Sequence, residues 1–584
     1  MLDRSKIKTL PDLFHQRAAL TPKQTAYQFY DEEKANWQSI CWQDLYKQTL
    51  SYRHALASEN LSENSRVLLI LENSIDWVCL EQATLQLGLV VVAASPLDSL
   101  QSLRHVIEDS EPAIIFIESD RLLESLQLNK QIKCIVRHKL LPDSNVSELC
   151  QWINKFKHKS SEANRSIEAI DPASIVYTSG SSGTAKGVIL SHEAIINNAQ
   201  ASMEAMGVSE EDKILNVTPF SNILGRVVDY YLSMFAGVPL VFNRALGRID
   251  ESMKRTHPSL MICTPYILEC AYSSLINQNR RLKQYIEDYL DYTNGIGNWK
   301  FSFLFWKITQ YNLRKIVHRD YLFNVRAIYT AGAPLSGNTR ALINILDIPI
   351  FEGYGLTEAG GLVSINTPEN NSPGSVGKPL KNVQIKLADD HSIELKSNST
   401  MLSYWHGETI PNVFDQNSWL KTGDEGLLEK DVLFLSSRRS SNIQLANGHC
   451  ICPEPLESRL KSDSIFNNVL IYGNQQVKLT AICEIASSKW EDFAQSFGLT
   501  TNYTPSELIH NERLQGIFFT RINALLQSVP DSPRIDYILP TFNDWQEDGL
   551  VNAQGVINRE AVHDYYASQL ALIYEQQYPF KPKR

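Results

Sequence analysis

Between residues 65 and 119 two spacings of apolar residues alternate along the chain. SRVLLIL at 65–71, LVVVAAS at 89–95 and PAIIFIES at 112–119 are short, nearly continuous apolar runs, the pattern of strands buried on both faces. SIDWVCLEQATLQLG at 74–88 and SLQSLRHVIEDS at 99–110 repeat at helical spacing, and Gly88 stands where the first helix should stop. This βαβαβ order predicts a parallel sheet covered by helices. Farther on, SIVY at 174–177 and GVIL at 187–190 are two strands around a small-residue loop, and Ser191 is placed to cap a following helix. The long aromatic and basic stretch 280–324 reads as two helices broken at Asn294-Gly295. Residues 157–172 are polar and read as a surface connection. No internal repeat stands out. A change of composition at 436–442, SSRRSSN, predicts a hinge, with a smaller α+β segment beyond it.

Composition narrows the class without naming a chemistry. The 584 residues are 43% hydrophobic and 21% charged, which excludes a disordered or low-complexity chain and allows several domains. The formal charge of −10 argues against nucleic acid as a partner, since a phosphate backbone needs clustered positive charge. The N-terminus carries spaced rather than continuous apolar residues, unlike a secretion signal. The longest apolar run, around 85–95, is too short for a membrane-spanning helix. Nine cysteines are scattered, and the Cys450–Cys452 pair is closer than ordinary zinc spacing. Together these features predict a cytoplasmic protein.

The sharpest local motif is TSGSSGTAKG at 178–187. Gly180 and Gly183 let backbone N–H groups approach an anion, and Thr178, Ser179, Ser181, Ser182 and Thr184 add hydroxyls. Lys186 adds a cation on a long stem. The strand–loop–strand setting predicts a clamp on polyphosphate. It is not a Walker A loop, which needs Lys followed by Ser or Thr at the start of a helix. Three more motifs follow in order. AIYTAGAPL at 327–335 runs an apolar strand into a small-residue turn with room for a flat ring over Gly332, Ala333 and Pro334. FEGYGLTE at 351–358 joins a stacking Tyr354, between Gly353 and Gly355, to Thr357 and Glu358, a carboxylate suited to Mg2+. WLKTGDEG at 419–426 puts Asp424 in a glycine-flanked turn where it can accept two ribose hydroxyls.

This ordered set resembles the adenylate-forming superfamily, the AMP-binding acyl-CoA synthetases and their kin, and is most similar to bacterial long-chain fatty acyl-CoA synthetases. The resemblance runs from TLPDLFHQRA to the helix EAVHDYYASQLALIYEQ and includes FEGYGLTEAGG and GSVGKPLKNVQIKLADD. It implies an α/β fold: a large N-terminal domain of layered mixed sheets with flanking helices and a small β-subdomain, then a smaller mobile α+β C-terminal domain. The implied bounds are 1–437, a hinge at 438–441, and 442–584. It implies ATP and Mg2+, with CoA or the phosphopantetheine of an acyl carrier protein as acceptor. In this scheme Thr178 to Lys186 hold the triphosphate, and Ala331 to Pro334 with Tyr354 line the adenine. Thr178, Thr357 and Glu358 serve the metal and α-phosphate, while Asp424 and Arg438 hold the ribose. Thr178, Lys186, Glu358 and Arg438 are the expected catalytic set, and Asn447 and Gly448 match the loop that enters for thioester formation. The acid expected is a medium or long fatty acid or a related carboxylate, a substrate that suits peripheral contact with a membrane surface.

Four positions, in three segments, depart from that pattern. The family's C-terminal catalytic lysine aligns with Val556, and Arg559 survives nearby. In TPFSNILGR at 218–226, Asn222 and Gly225 replace the usual histidine and glutamate. Ser440 replaces the usual hinge Asp or Lys. The readings open at this point are a working acid–thiol ligase, a half-enzyme that consumes preformed acyl-AMP or uses another nucleophile, and a nucleotide- or acyl-binding protein without turnover.

Overall fold

The computed structural model describes residues 2–128, 132–141, 146–156, 165–178, 185–270, isolated positions in 310–324, then 325–584 apart from several short segments. Those segments are 334, 336–338, 341–342, 344–346, 408–412, 439–442, 447–449, 475, 477, most of 501–510, 527–533, 553–554 and 576–584. The expected helices at 280–324 therefore lie almost wholly outside the described residues, as does Ser440.

The alternating pattern folds as its periodicities predict. Strands Arg66–Ile70, Val90–Ala94 and Ile114–Ser119 are parallel neighbours, and helices Ile75–Gln86 and Leu100–Ser110 connect them. Each helix starts on a serine: Ser74 and Ser99 accept the backbone N–H three residues on. Gly88 takes a left-handed φ of +64° just past the first helix, where a side chain would be strained. Among the described residues the sheet has eight strands and continues from Val90–Ala94 to Pro172–Thr178, Lys186–Ser191 and the edge strand Ser403–Tyr404.

A second sheet of nine strands is parallel at its centre, through Leu240–Phe242, Ile214–Asn216, Leu260–Cys263, Ala327–Thr330 and Ile350–Leu356. Its antiparallel neighbour Gly361–Ile365 follows directly from the Glu358 turn. A third, antiparallel sheet of four strands carries Leu420–Glu429 and Val432–Arg438. Beyond it, strands Phe466–Tyr472, Thr480–Ile485 and Tyr537–Thr541 form a small sheet packed by helices Glu454–Lys461 and Glu512–Leu526. Among the described residues, no buried apolar cluster draws on both sides of 434–442: three lie before it and two after it. No helix of the described residues is long and apolar enough to cross a membrane.

One local expectation is corrected. Asp424 is not in a turn: it lies inside strand Leu420–Glu429, opposite Arg438, with a bulge after Glu425. Glycine in TGDEG suggested a turn, but Gly423 only supplies a φ of +77° beside the bulge while the ladder continues. Glu358 follows the strand end directly, in the short 3-10 turn Thr357–Ala359.

Candidate functional site

Strands Pro172–Thr178 and Lys186–Ser191 form an antiparallel hairpin in which Thr178 faces Lys186. Ser179, Gly180, Ser181, Ser182, Gly183 and Thr184 lie outside the described residues. Gly187 must be glycine: a Cβ there would meet Ile175 at 2.8 Å and Trp405 at 3.0 Å. The edge strand Ser403–Tyr404 pairs with the outer rail, Tyr404 opposite Val188. This places the Lys186 ammonium 5.9 Å from the centre of the Tyr404 ring. The Tyr404 hydroxyl donates to Glu358 Oε1 at 2.9 Å. Burial, then the Glu358 carboxylate, push that hydroxyl well above the usual tyrosine range, so it stays a donor. Glu358 is held from the backbone too, its carbonyl accepting from Met401 N at 2.8 Å. Lys186 and Glu358, distant in sequence, thus share one tyrosine.

A second group ties strand Leu420–Glu429 to strand Ile350–Leu356. Tyr354 and Asp424 are both buried, and the Tyr354 hydroxyl donates to Asp424 Oδ2 at 2.6 Å. Thr422 Oγ1 accepts from Asp424 N at 3.1 Å. Gly353 and Gly355 let Gly361–Ile365 close on this strand: a Cβ at 355 would sit 2.5 Å from the Gly361 carbonyl. Asn198, on the helix His192–Ala205 that follows the hairpin, clasps the returning strand with both amide groups, 2.8 Å to Leu362 O and 3.1 Å from Leu362 N. The helix begins on Ser191, which accepts from Ala194 N as its position suggested. Three residues of chain, 355–357, therefore join the Tyr354–Asp424 pair to Glu358, and Tyr404 joins Glu358 to Lys186. Thr357 is buried beside Glu358. Gly332 and Ala333 are exposed, and Gly332 has φ +98° with nothing near a would-be Cβ. Pro334, Asn447 and Gly448 lie outside the described residues, and only the backbone of Arg438 is placed.

The donor set fits a metal that arrives with phosphate. Among the described residues no group of three His, Cys, Asp or Glu side chains could cage an ion. One carboxylate, Glu358, among hydroxyls is the way Mg2+ is commonly held when a nucleotide supplies the other ligands.

The departures have structural counterparts. At Gly225 a Cβ would lie 2.5 Å from Pro219 O and 2.7 Å from Thr218 O, so no glutamate fits this backbone. Asn222 turns its side chain inward, accepting from Leu224 N at 2.8 Å. Arg226 is fully buried and pairs with Glu81, to which Trp77 and Tyr231 also donate. Arg559 is committed elsewhere: its guanidinium holds Glu457 at 2.5–2.8 Å. Val556 is partly exposed on a loop whose Gly555 rests on Tyr266, where a Cβ would be 2.4 Å from the ring. Residues that sequence reasoning passed over include Tyr404, Asn198, His105 and Asp109. None belongs to a glycine-rich motif, and only the sheet pairing brings them in.

The comparisons agree with this geometry in kind. The family model described as AMP-binding enzyme matches residues 14–405. The long-chain-fatty-acid–CoA ligase FadD15 of Mycobacterium bovis is 22% identical over 570 residues, covering 93% of each chain. The mouse long-chain-fatty-acid–CoA ligase ACSBG2 is 24% identical, covering 83% of this chain and 77% of its own. Among solved structures, the adenylation domain of a Mycobacterium chelonae carboxylate reductase superposes with a TM-score of 0.76 at 18% identity, over 97% of this chain and 91% of that one. The Bacillus subtilis o-succinylbenzoate CoA synthetase solved with ATP and magnesium gives 0.66 at 20% identity, over 94% and 98%.

Proposed function

This chain belongs to the AMP-binding enzyme family, and on that premise we propose that it activates a medium- or long-chain fatty acid with ATP and passes the acyl group to a thiol of CoA or of a carrier protein. The observation that carries the reading is the path Lys186–Tyr404–Glu358 and Tyr354–Asp424, which joins three separate motifs through Tyr404. In the first step the carboxylate oxygen attacks the α-phosphorus of ATP and pyrophosphate leaves with the bonding electrons. Lys186 and the hydroxyls beginning at Thr178 hold the triphosphate, offsetting charge that builds at phosphorus. Glu358 holds Mg2+, which neutralises phosphate oxygens when bound. Asp424 accepts from the ribose, and Tyr354 packs beside the base with its hydroxyl fixing that carboxylate. In the second step a thiolate attacks the acyl carbon and AMP departs. Swinging of a unit at 442–584 about 438–441, against a body at 1–437, would let both steps use one pocket; the separation of the apolar cores supports those bounds. ATP–pyrophosphate exchange with a panel of fatty acids tests the reading. Exchange with at least one acid is expected, and silence with every acid counts against it.

A second reading has its own support. Val556 cannot bridge carboxylate and phosphate, and the nearby cation Arg559 is taken by Glu457. The chain would then be a half-enzyme that receives acyl-AMP ready made. Thioester formation from synthetic acyl-AMP, with none from ATP plus acid, is the outcome that favours it; equal rates from both remove it.

A further inference from the structure

Helix Leu100–Ser110 ends against both rails of the Thr178–Lys186 hairpin, and its side chains there play no part in the reaction as written above. His105 and Asp109 are four residues apart, so they share one face of the helix. His105 Nε2 lies 2.8 Å from the carbonyl of Ala185, the residue before Lys186. A carbonyl only accepts, so this nitrogen carries the proton. On the other rail, Tyr177, the residue before Thr178, donates its hydroxyl to Asp109 Oδ2 at 2.5 Å. The His105 and Tyr177 rings meet edge to face at 6.1 Å. The Asp109 carbonyl accepts from Trp405 Nε1 at 2.9 Å and from His406 Nε2 at 2.8 Å. Those two residues follow Tyr404, the ring beside Lys186. Arg66 lies over the Trp405 ring at 5.2 Å and bonds the Ser110 carbonyl at 2.9 Å, fixing the helix end from its other side. One helix turn thus grips the entering rail, the leaving rail and the strand that carries Tyr404.

We propose that His105 and Asp109 are positioning residues that set Thr178, Lys186 and Tyr404 at the spacing a nucleotide triphosphate requires. The outer pairings stop short of the loop, at Val176 on the entering rail and at Val188 on the leaving rail, so in the ladder Thr178 and Lys186 face only each other and their ends of the rails are free to shift. Tethers outside the ladder remove that freedom before ligand arrives, so less ordering remains for binding. The inference rests on the proposed role of Thr178–Lys186 and adds which residues make it possible. It separates two ligands of the same site: ATP uses the triphosphate grip, whereas AMP lacks the β- and γ-phosphates.

Calorimetric titration of the full chain with ATP and with AMP, in the presence of Mg2+, tests this without requiring turnover. In His105→Phe the ring contact with Tyr177 stays and the N–H is gone. ATP affinity is expected to fall about fivefold, the size of one net neutral hydrogen bond, with AMP affinity unchanged. His105→Gln, whose amide can donate from the same place, should recover the ATP affinity. Tyr177→Phe releases the other rail and should show the same ATP-only loss, which keeps the test open if the His105 variant fails to fold. Equal weakening of ATP and AMP, or no loss of ATP affinity in either variant, overturns the proposal. Wild-type protein that binds neither nucleotide removes the reading of the site itself, a result distinguishable from a selective failure of the variants.

Discussion

Two side chains carry the most exposed claims about chemistry. The Tyr354 hydroxyl is 2.6 Å from Asp424, and both are buried. Tyr354→Phe keeps the ring and removes one donor from a carboxylate. Stability should fall by about 1–2 kcal/mol, read from chemical denaturation, and AMP affinity should fall with it, because the carboxylate meant for ribose is no longer held. Unchanged AMP affinity would show that Asp424 is fixed without Tyr354. The other residue is Val556. Its side chain is exposed, so a lysine introduced there needs no change in the fold. A positioned cation at a reacting phosphate is worth on the order of 100- to 1,000-fold in rate. Val556→Lys should raise adenylate formation by a factor in that range, measured by pyrophosphate exchange. Thioester formation from synthetic acyl-AMP should change little.

At the scale of elements, the hairpin and the helix after it are held through a buried histidine. His192 opens helix His192–Ala205, and its Nδ1 accepts from Leu10 N at 3.2 Å. Burial lowers its pKa from 6.5 to about 4, so the folded chain keeps it neutral where the unfolded chain would protonate it. The unfolded state then binds the extra proton between those values. Stability from this group is fully present above about pH 6.5 and is lost as pH falls toward 4, by on the order of 3 kcal/mol. His192→Gln, which retains an acceptor, should flatten the pH dependence of the denaturation midpoint over that window; an unchanged slope would show that His192 is not its source. The strands and helices of 65–119 were legible because burial on two faces and burial on one leave different periods. The glycines at 187, 353 and 355 were visible as motif members, but the reason for each is a close approach from a distant strand. His105, Asp109 and Tyr404 were invisible for the same reason. On its own helix His105 is an ordinary half-exposed residue, and only the approach of Ala185, Tyr177 and the Trp405–His406 pair from other elements gives that helix end something to hold. Asp424 was misplaced because a bulged strand and a turn both use glycine with positive φ.

Over the whole molecule, the C-terminal unit meets the larger body at few described points. Tyr266 Oη lies 3.5 Å from Gln546 Oε1, Gly549 approaches Ser99, and Gly555 covers the Tyr266 ring at φ +76°. Gly555→Val would place branched carbons inside that ring and strain the backbone as well. The expected result is a chain with intact secondary structure whose two parts separate more readily, seen as faster proteolysis near 438–442. Equal cleavage of variant and wild type would mean the contact does not hold them. The described contact sets uncharged Gly555 against the carbons of the Tyr266 ring, which carry no charge for salt to shield. A lysine-bearing loop drawn in by phosphate loosens its hold as the medium grows brackish; this one should sit as firmly in brine as in dilute buffer.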